Sequence, residues 1–115
     1  METKAKRTLV KSAPELWELA DDPVRMESWM RGLLGAPSPI PVEVTAREPE
    51  RIIAWRCAQP ESFARIAIEL ADSGFGTAVQ ITAQHARPDP GEAIAALEEL
   101  LDELGSSERR PFGGG

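Results

Sequence analysis

The sequence predicts a single α+β domain in which a curved antiparallel sheet wraps a long C-terminal helix. Three observations carry that prediction. Apolar residues recur at helical spacing over residues 12–35, at strand spacing over 42–84, and at helical spacing again over 90–104. The strand-period segments can be paired so that their apolar side chains share one face. A chain of 115 residues, 42% hydrophobic and 28% charged, suffices for one core in one domain.

The elements follow in order. Residues 3–11 (TKAKRTLVK) read as a first strand, with Thr8 and Val10 favouring extended backbone and the lysines marking an exposed face. Ser12 opens a capping box with Glu15, and Pro14 sits in the first turn, where it forfeits no hydrogen bond. Ala13, Leu16, Trp17 and Ala20 share one face of that helix. A second short helix starts at Asp22-Pro23, buries Met26, Trp29, Met30 and Leu33, and ends at Gly32 or Gly35. GAPSPIP (35–41) is irregular, because its prolines remove donors and break helical geometry.

Beyond it the period changes to two. Val42 and Val44 alternate with Glu43 and Thr45, and RIIAWRCA (51–58) is β-branched and aromatic. FARIAIELA (63–71) and TAVQITAQ (77–84) alternate on opposite parities. A loop of Asp72, Ser73, Gly74 and Phe75 reconciles them, setting Ile68 opposite Val79, Ile66 opposite Ile81 and Ala64 opposite Ala83. A loop over 59–62 likewise sets Trp55 opposite Ile66 and Ile53 opposite Ile68. A slip of one residue would turn every apolar side chain to the wrong face. The resulting meander presents Ile53, Trp55, Cys57, Ile66, Ile68, Val79 and Ile81 on one surface. The last helix takes Asp89 as N-cap, Pro90 at its first position and Glu92 at its third. Its buried stripe is Ile94, Leu97, Leu101 and Leu104, flanked by Leu100, with Glu98, Glu99, Asp102 and Glu103 in water and Gly105 just past the end. The domain is therefore 1–105, and 106–115 (SSERRPFGGG) is a flexible tail.

Charge and composition narrow the function. A net charge of −6 repels phosphate backbones and anionic lipid, which argues against nucleic acid and membrane surfaces as partners. No apolar run approaches membrane-spanning length and METKAKRTLVKSAPE lacks a secretion-signal core, so a cytoplasmic location is expected. Cys57 is the one cysteine and His85 the one histidine, so no disulfide, metal site or cofactor is expected. The chain has no Tyr, and no GxSxG, HExxH, CxxC or phosphate-binding loop. The catalytic candidates are His85 and Arg51. His85 continues the parity of Val79, Ile81 and Ala83, as an acid or base at the mouth of the apolar face or as a solvated strand-end histidine. Arg51 shares the parity of Ile53 and Trp55, where it would fix an acidic group, or else stands on the surface at the strand's start. Cys57 points inward as an inert thiol.

Several segments carry a likeness. VKSAPELWELADDPVRMESWM (10–30) has a Ser-Ala-Pro-Glu start, a helical Trp, and an Asp-Pro ahead of a second Trp. PERIIAWRC (49–57) and the glycine-turn hairpin IELADSGFGTAVQITA (68–83) follow. In that order they resemble the START-like superfamily, also called SRPBCC, and within it the bacterial polyketide cyclase/dehydrase family. The likeness covers residues 5–104 or so. It implies the helix-grip fold and an apolar cavity between the concave sheet face and the last helix. The implied lining is Trp29, Trp55, Ile66, Ile68, Val79, Ile81, Ile94, Leu97 and Leu101, unless these residues pack as a filled core. The favoured function on this basis is binding of a small hydrophobic or aromatic molecule without an enzymatic step. A polyketide cyclase or dehydratase is the second reading, and an apolar groove for a partner chain the third. Relatives carry further strands ahead of PERIIAWRC, whereas here the Pro-rich loop and residues 42–47 fill that stretch. The shortened sheet leaves an edge that a homodimer would cover.

Overall fold

The structure, a computed structural model, describes residues 2–35, 40–57, 64–74, 76–85 and 90–105. The elements run β1 (Glu2–Leu9), α1 (Ala13–Ala20), α2 (Pro23–Leu34), β2 (Val42–Glu48), β3 (Ile52–Cys57), β4 (Ala64–Asp72), β5 (Thr77–His85) and α3 (Pro90–Gly105). The strands form one antiparallel sheet in the order β1-β5-β4-β3-β2. β2 to β5 are thus a meander, and β1 returns to pair with β5. The helices lie against one face, which makes this the helix-grip architecture.

Local chemistry explains the helix limits. Ser12 Oγ accepts from the Glu15 amide at 3.4 Å while Glu15 Oε1 accepts from the Ser12 amide at 3.0 Å, closing the capping box of α1. Asp22 Oδ1 caps α2 by accepting from Val24 N at 3.0 Å and Arg25 N at 3.4 Å. Of the two glycines able to end α2, Gly35 does so, in the left-handed region at φ 68°. Gly32 stays inside the helix, and a Cβ built there meets nothing within 4 Å. Gly32→Ala is therefore expected to raise stability by about 0.5–1 kcal/mol, read as an increased urea midpoint at unchanged slope.

The β3–β4 register matches the expectation, with Trp55 opposite Ile66 and Ile53 opposite Ile68. The β4–β5 register does not: Ile68 faces Ile81, Ile66 faces Ala83 and Ala64 faces His85, a shift of two residues. Asp72 pairs with Thr77 and the turn comprises 73–76, closed by Ser73 N donating to Gly76 O at 3.1 Å with Gly74 at φ 92°. A two-residue shift preserves the face of every side chain, so apolar alternation alone cannot detect it. Phe75, the 59–62 loop, the expected N-cap Asp89 and the 106–115 tail lie outside the described residues. β1 stops at Leu9, so Val10 is not a strand residue and stands 82% exposed.

One face of the sheet buries Ile53, Ile66, Ile68, Val79 and Ile81 against Leu97, Leu101 and Leu104 of α3, with Met26, Met30 and Leu33 of α2 and Leu16 of α1 in the same cluster. Ile94 is a correction: it is 47% exposed, while Ala93 and Leu100 are buried. Leu100 is part of the buried face rather than its flank. Ala93 lies two turns before it and takes the central line, which rotates Ile94 outward. At the far edge the register shifts between Val44 and Ala46, a β-bulge that leaves Val44 opposite Trp55 and Arg47 opposite Ile53. Arg47 thereby reaches Asp21 at the end of α1, at 2.6 Å. α3 is tied at both flanks. Arg7 of β1 holds Asp102 and Glu98, both at 2.5 Å, while Arg25 Nη1 and Trp29 Nε1 of α2 donate to Glu103 Oε1 at 3.1 and 2.7 Å. The hydrogen bond to Asp102 above all, outweighing the opposing effect of burial and helped by Glu98, holds the Arg7 guanidinium above its ordinary pKa. Exposed pairs of this kind add at most about 1 kcal/mol each, so they orient a helix that its leucines anchor.

Candidate functional site

The concave face can be read row by row from the register. One row runs Ala5, Ile81, Ile68, Ile53, and the next runs Thr3, Ala83, Ile66, Trp55. The last row is His85, Ala64, Cys57. Side-chain size therefore falls from branched aliphatics to Ala64, Ala83, Thr3 and Cys57 toward the His85 end of β5. Trp55 closes the row beside them. Its Nε1 donates to the Ala20 carbonyl at 3.0 Å, filling one of the open acceptors at the end of α1.

His85 is 2% exposed, so it is not a solvated strand-end residue. Its Nε2 lies 2.9 Å from Thr3 Oγ1, a buried hydrogen bond in which the ring accepts the hydroxyl proton or donates to the oxygen according to its tautomer. In an apolar interior this bond gives the Thr3 hydroxyl and the Nε2 edge of His85 a partner each. Thr3 is the member of this pair that sequence reasoning missed. The two residues are far apart in the chain, and the signal that could have joined them is the β1–β5 pairing, which places Thr3 opposite Ala83, two residues from His85.

The other expected residues divide. Trp55, Ile66, Ile68, Val79, Ile81, Leu97 and Leu101 are brought together as continuous core. Trp29 belongs to that core by its ring but turns its indole nitrogen to Glu103. Ile94 is not among them. Arg51 is not brought to His85: it precedes β3 in the tight turn where its amide donates to Glu48 O at 3.0 Å, so strand parity does not extend to it. It is exposed and borders an outer-face hollow of about 350 Å³ with Lys6, Glu69 and Gln80. Cys57 is buried and unpaired by disulfide.

Two further concavities are lined by described residues. One, of about 170 Å³, lies between α2 and α3 beside Trp29, Gly32 and Leu100. The other, of about 480 Å³, lies at the corner where β1 passes into α1. None of the three opens between the concave face and Leu97 or Leu101. Among the described residues no group of three or more His, Cys, Asp or Glu is placed to hold a metal ion. No helix among them is long and apolar enough to cross a membrane.

No protein-family profile and no curated protein sequence matches the chain. Solved structures do. A Deinococcus radiodurans protein shares 18% identity over 91% of this chain and 97% of its own, with a TM-score of 0.64. The Aha1 dimer from Colwellia psychrerythraea, solved in solution, is 16% identical over 94% and 98% of the two chains, with a TM-score of 0.66. DynU16, from the dynemicin biosynthetic locus, is 14% identical over 90% of this chain and 44% of its own, at 0.59. At these identities what is shared is the backbone path, and on that path the chain is a five-stranded helix-grip protein among these structures.

Proposed function

We propose that the chain binds a small hydrophobic or aromatic molecule at the His85 end of the concave face. The carrying observation is the fall in side-chain size toward that end, where Ala64, Ala83, Thr3 and Cys57 replace the isoleucines and the Thr3–His85 pair supplies one buried polar feature. Apolar burial of about 25 cal/mol per Å² would supply affinity, and the hydrogen-bonding pair would orient a ligand oxygen. The structural likeness to a protein from the dynemicin biosynthetic locus supports a small organic ligand.

A thermal-shift screen with aromatic and polyketide-like compounds tests this. A ligand at one hundred times its Kd adds about 2.7 kcal/mol, which for a domain of this size raises Tm by about 10 °C. Ala83→Leu should abolish the shift while costing less than about 1 kcal/mol of stability, because the added atoms occupy the space meant for ligand. No compound shifting Tm, together with an Ala83→Leu penalty of about 3 kcal/mol or more, would mean that this end is packed solid.

The second reading, an acid–base enzyme of cyclase or dehydratase kind, is favoured by one observation: the single histidine is buried on the ligand face. A His85→Gln chain that still binds its ligand but loses turnover would establish it; unchanged turnover would remove it. Self-association is proposed through the β2 edge, and the dimeric Aha1 structure lends it support. Sedimentation velocity across a concentration series decides that point.

A further inference from the structure

We propose that the hollow on the outer sheet face, beside the β2–β3 turn, binds a small zwitterion, an amino acid or dipeptide with free ammonium and carboxylate groups. This hollow, about 350 Å³, has Lys6 at one end, Glu48 and Arg51 at the other, and Glu69 and Gln80 between them. It lies across the sheet from the concave face, so the inference does not depend on the ligand reading given there.

The register builds the hollow. One row across the outer face runs Lys6, Gln80, Glu69, Ile52, Glu48. The neighbouring row, toward the β4–β5 turn, sets Ala78 opposite Ala71. Methyl groups beside long side chains leave a trough, with the two alanines as its floor and the Lys6–Glu48 row as one wall. Arg51 stands at the turn end, where its carbonyl accepts from Leu70 N at 2.7 Å and so fixes the turn against β4. β1 and the start of β3 are three strand spacings apart, about 14 Å, and Lys6 and Arg51 shorten that span from its two ends. The remaining length suits one or two extended residues at about 3.3–3.6 Å each, and the volume is at the small end for a ligand site.

Charge selects the class of ligand. The side chains of Lys4, Arg7, Arg25, Arg31, Arg47 and Arg56 each form an ion pair. Those of Lys6, Arg51, Glu48 and Glu69 form none among the described residues, and the Gln80 side chain has no hydrogen-bond partner there. Opposite charges thus line one hollow without neutralising one another. The sheet sets them on different strands, with Gln80 of β5 between Lys6 of β1 and Glu69 of β4. A lone anion in the trough meets Glu48 and Glu69, and a lone cation meets Lys6 and Arg51. A zwitterion answers both. The fork of Arg51 takes the carboxylate with paired donors, and Glu69 takes the ammonium. Lys6 and Gln80 donate to the carbonyl oxygen between the two ends. The charged partners are exposed, so binding is of millimolar strength and weakens as salt is added.

The test is an NMR titration of the isotope-labelled full chain with alanylalanine, its N-acetylated form and its C-terminal amide. The free dipeptide is expected to shift the amides of Ile52, Ala71, Ala78 and Gln80 with saturation in the millimolar range, while Ala64 and Ala83 stay in place. Each capped form should bind roughly tenfold more weakly, since it lacks one of the two charges. Arg51→Gln should erase the preference for the free carboxylate and keep that for the free ammonium, and Glu69→Gln should do the reverse. No shift at the four amides, equal shifts by the capped forms, or a preference that survives its own variant overturns the proposal. A dipeptide that moves Ala64 and Ala83 alone also overturns it, since the ligand would then lie at the concave face.

Discussion

Replacing Trp55 by Ala is expected to lower stability by about 3–5 kcal/mol, the largest loss of any single side chain in the sheet. The ring is 3% exposed and faces Val44 on one neighbouring strand and Ile66 on the other. Its loss opens a cavity bounded by strands that cannot collapse without breaking their ladder. It also strands the Ala20 carbonyl, which has accepted the indole proton at 3.0 Å, in a buried position. The two effects add because one side chain supplies both. At about 4–8 °C per kcal/mol, Tm should fall by about 12 °C or more. Trp55→Phe separates the parts: it restores most of the volume but not the donor, and should cost only about 1–3 kcal/mol. Urea denaturation of the three chains reads the partition directly. A Trp55→Ala penalty below about 1 kcal/mol would place the ring outside the interior.

Gly76→Ala should be comparably damaging for an opposite reason. A Cβ there falls far inside van der Waals contact with the Leu9 carbonyl oxygen, and lies 3.1 Å from Leu9 C and 3.3 Å from Val10 Cα. Those obstacles are backbone, which has no rotamer to change, so relief requires the end of β1 to part from β5. Overpacking in cores costs about 1–3 kcal/mol, and a clash with main chain lies at or above the upper end. The expected signature is local as well as global, with hydrogen exchange at Thr8 and Leu9 accelerating more than in the middle of β4. Set beside the gain expected from Gly32→Ala, it shows that the surroundings of a glycine decide the sign of its substitution, since both positions receive the same methyl group.

Much of this fold was legible because each signal was local and redundant. The caps at Ser12 and Asp22 are set by side chains two or three residues from the amides they serve, and both are present. The face shared by Ile53, Trp55, Ile66 and Ile68 follows from period two and holds under any even shift of register. That same tolerance is why the β4–β5 pairing was misread by two residues. The observed pairing goes with a close approach of Gly76 to Leu9, a contact between segments far apart in the chain that local alternation does not encode. Ile94 failed for a related reason: spacing defines a helical stripe but not the line along which the sheet meets it, and Leu100 and Ala93 settle that line. At the site, the inward direction of His85 was readable from parity, whereas its burial and its bond to Thr3 were not, because β1 gave no register of its own. For Arg51 the surface alternative at the strand's start holds, because the turn after Glu48 does not sustain the strand alternation that would have turned it inward.

The bulge between Val44 and Ala46 bears on how this molecule can grow into larger assemblies. An uninterrupted outer strand would offer another copy a straight row of amides and carbonyls, and sheets joined that way can extend without limit. Here the row is broken at its midpoint and the side-chain alternation changes parity across the break, so a straight partner strand would match only one half of it at a time. Were copies to associate through this margin, the break would hold them to a short seam, compatible with a closed pair and unfavourable to a fibre.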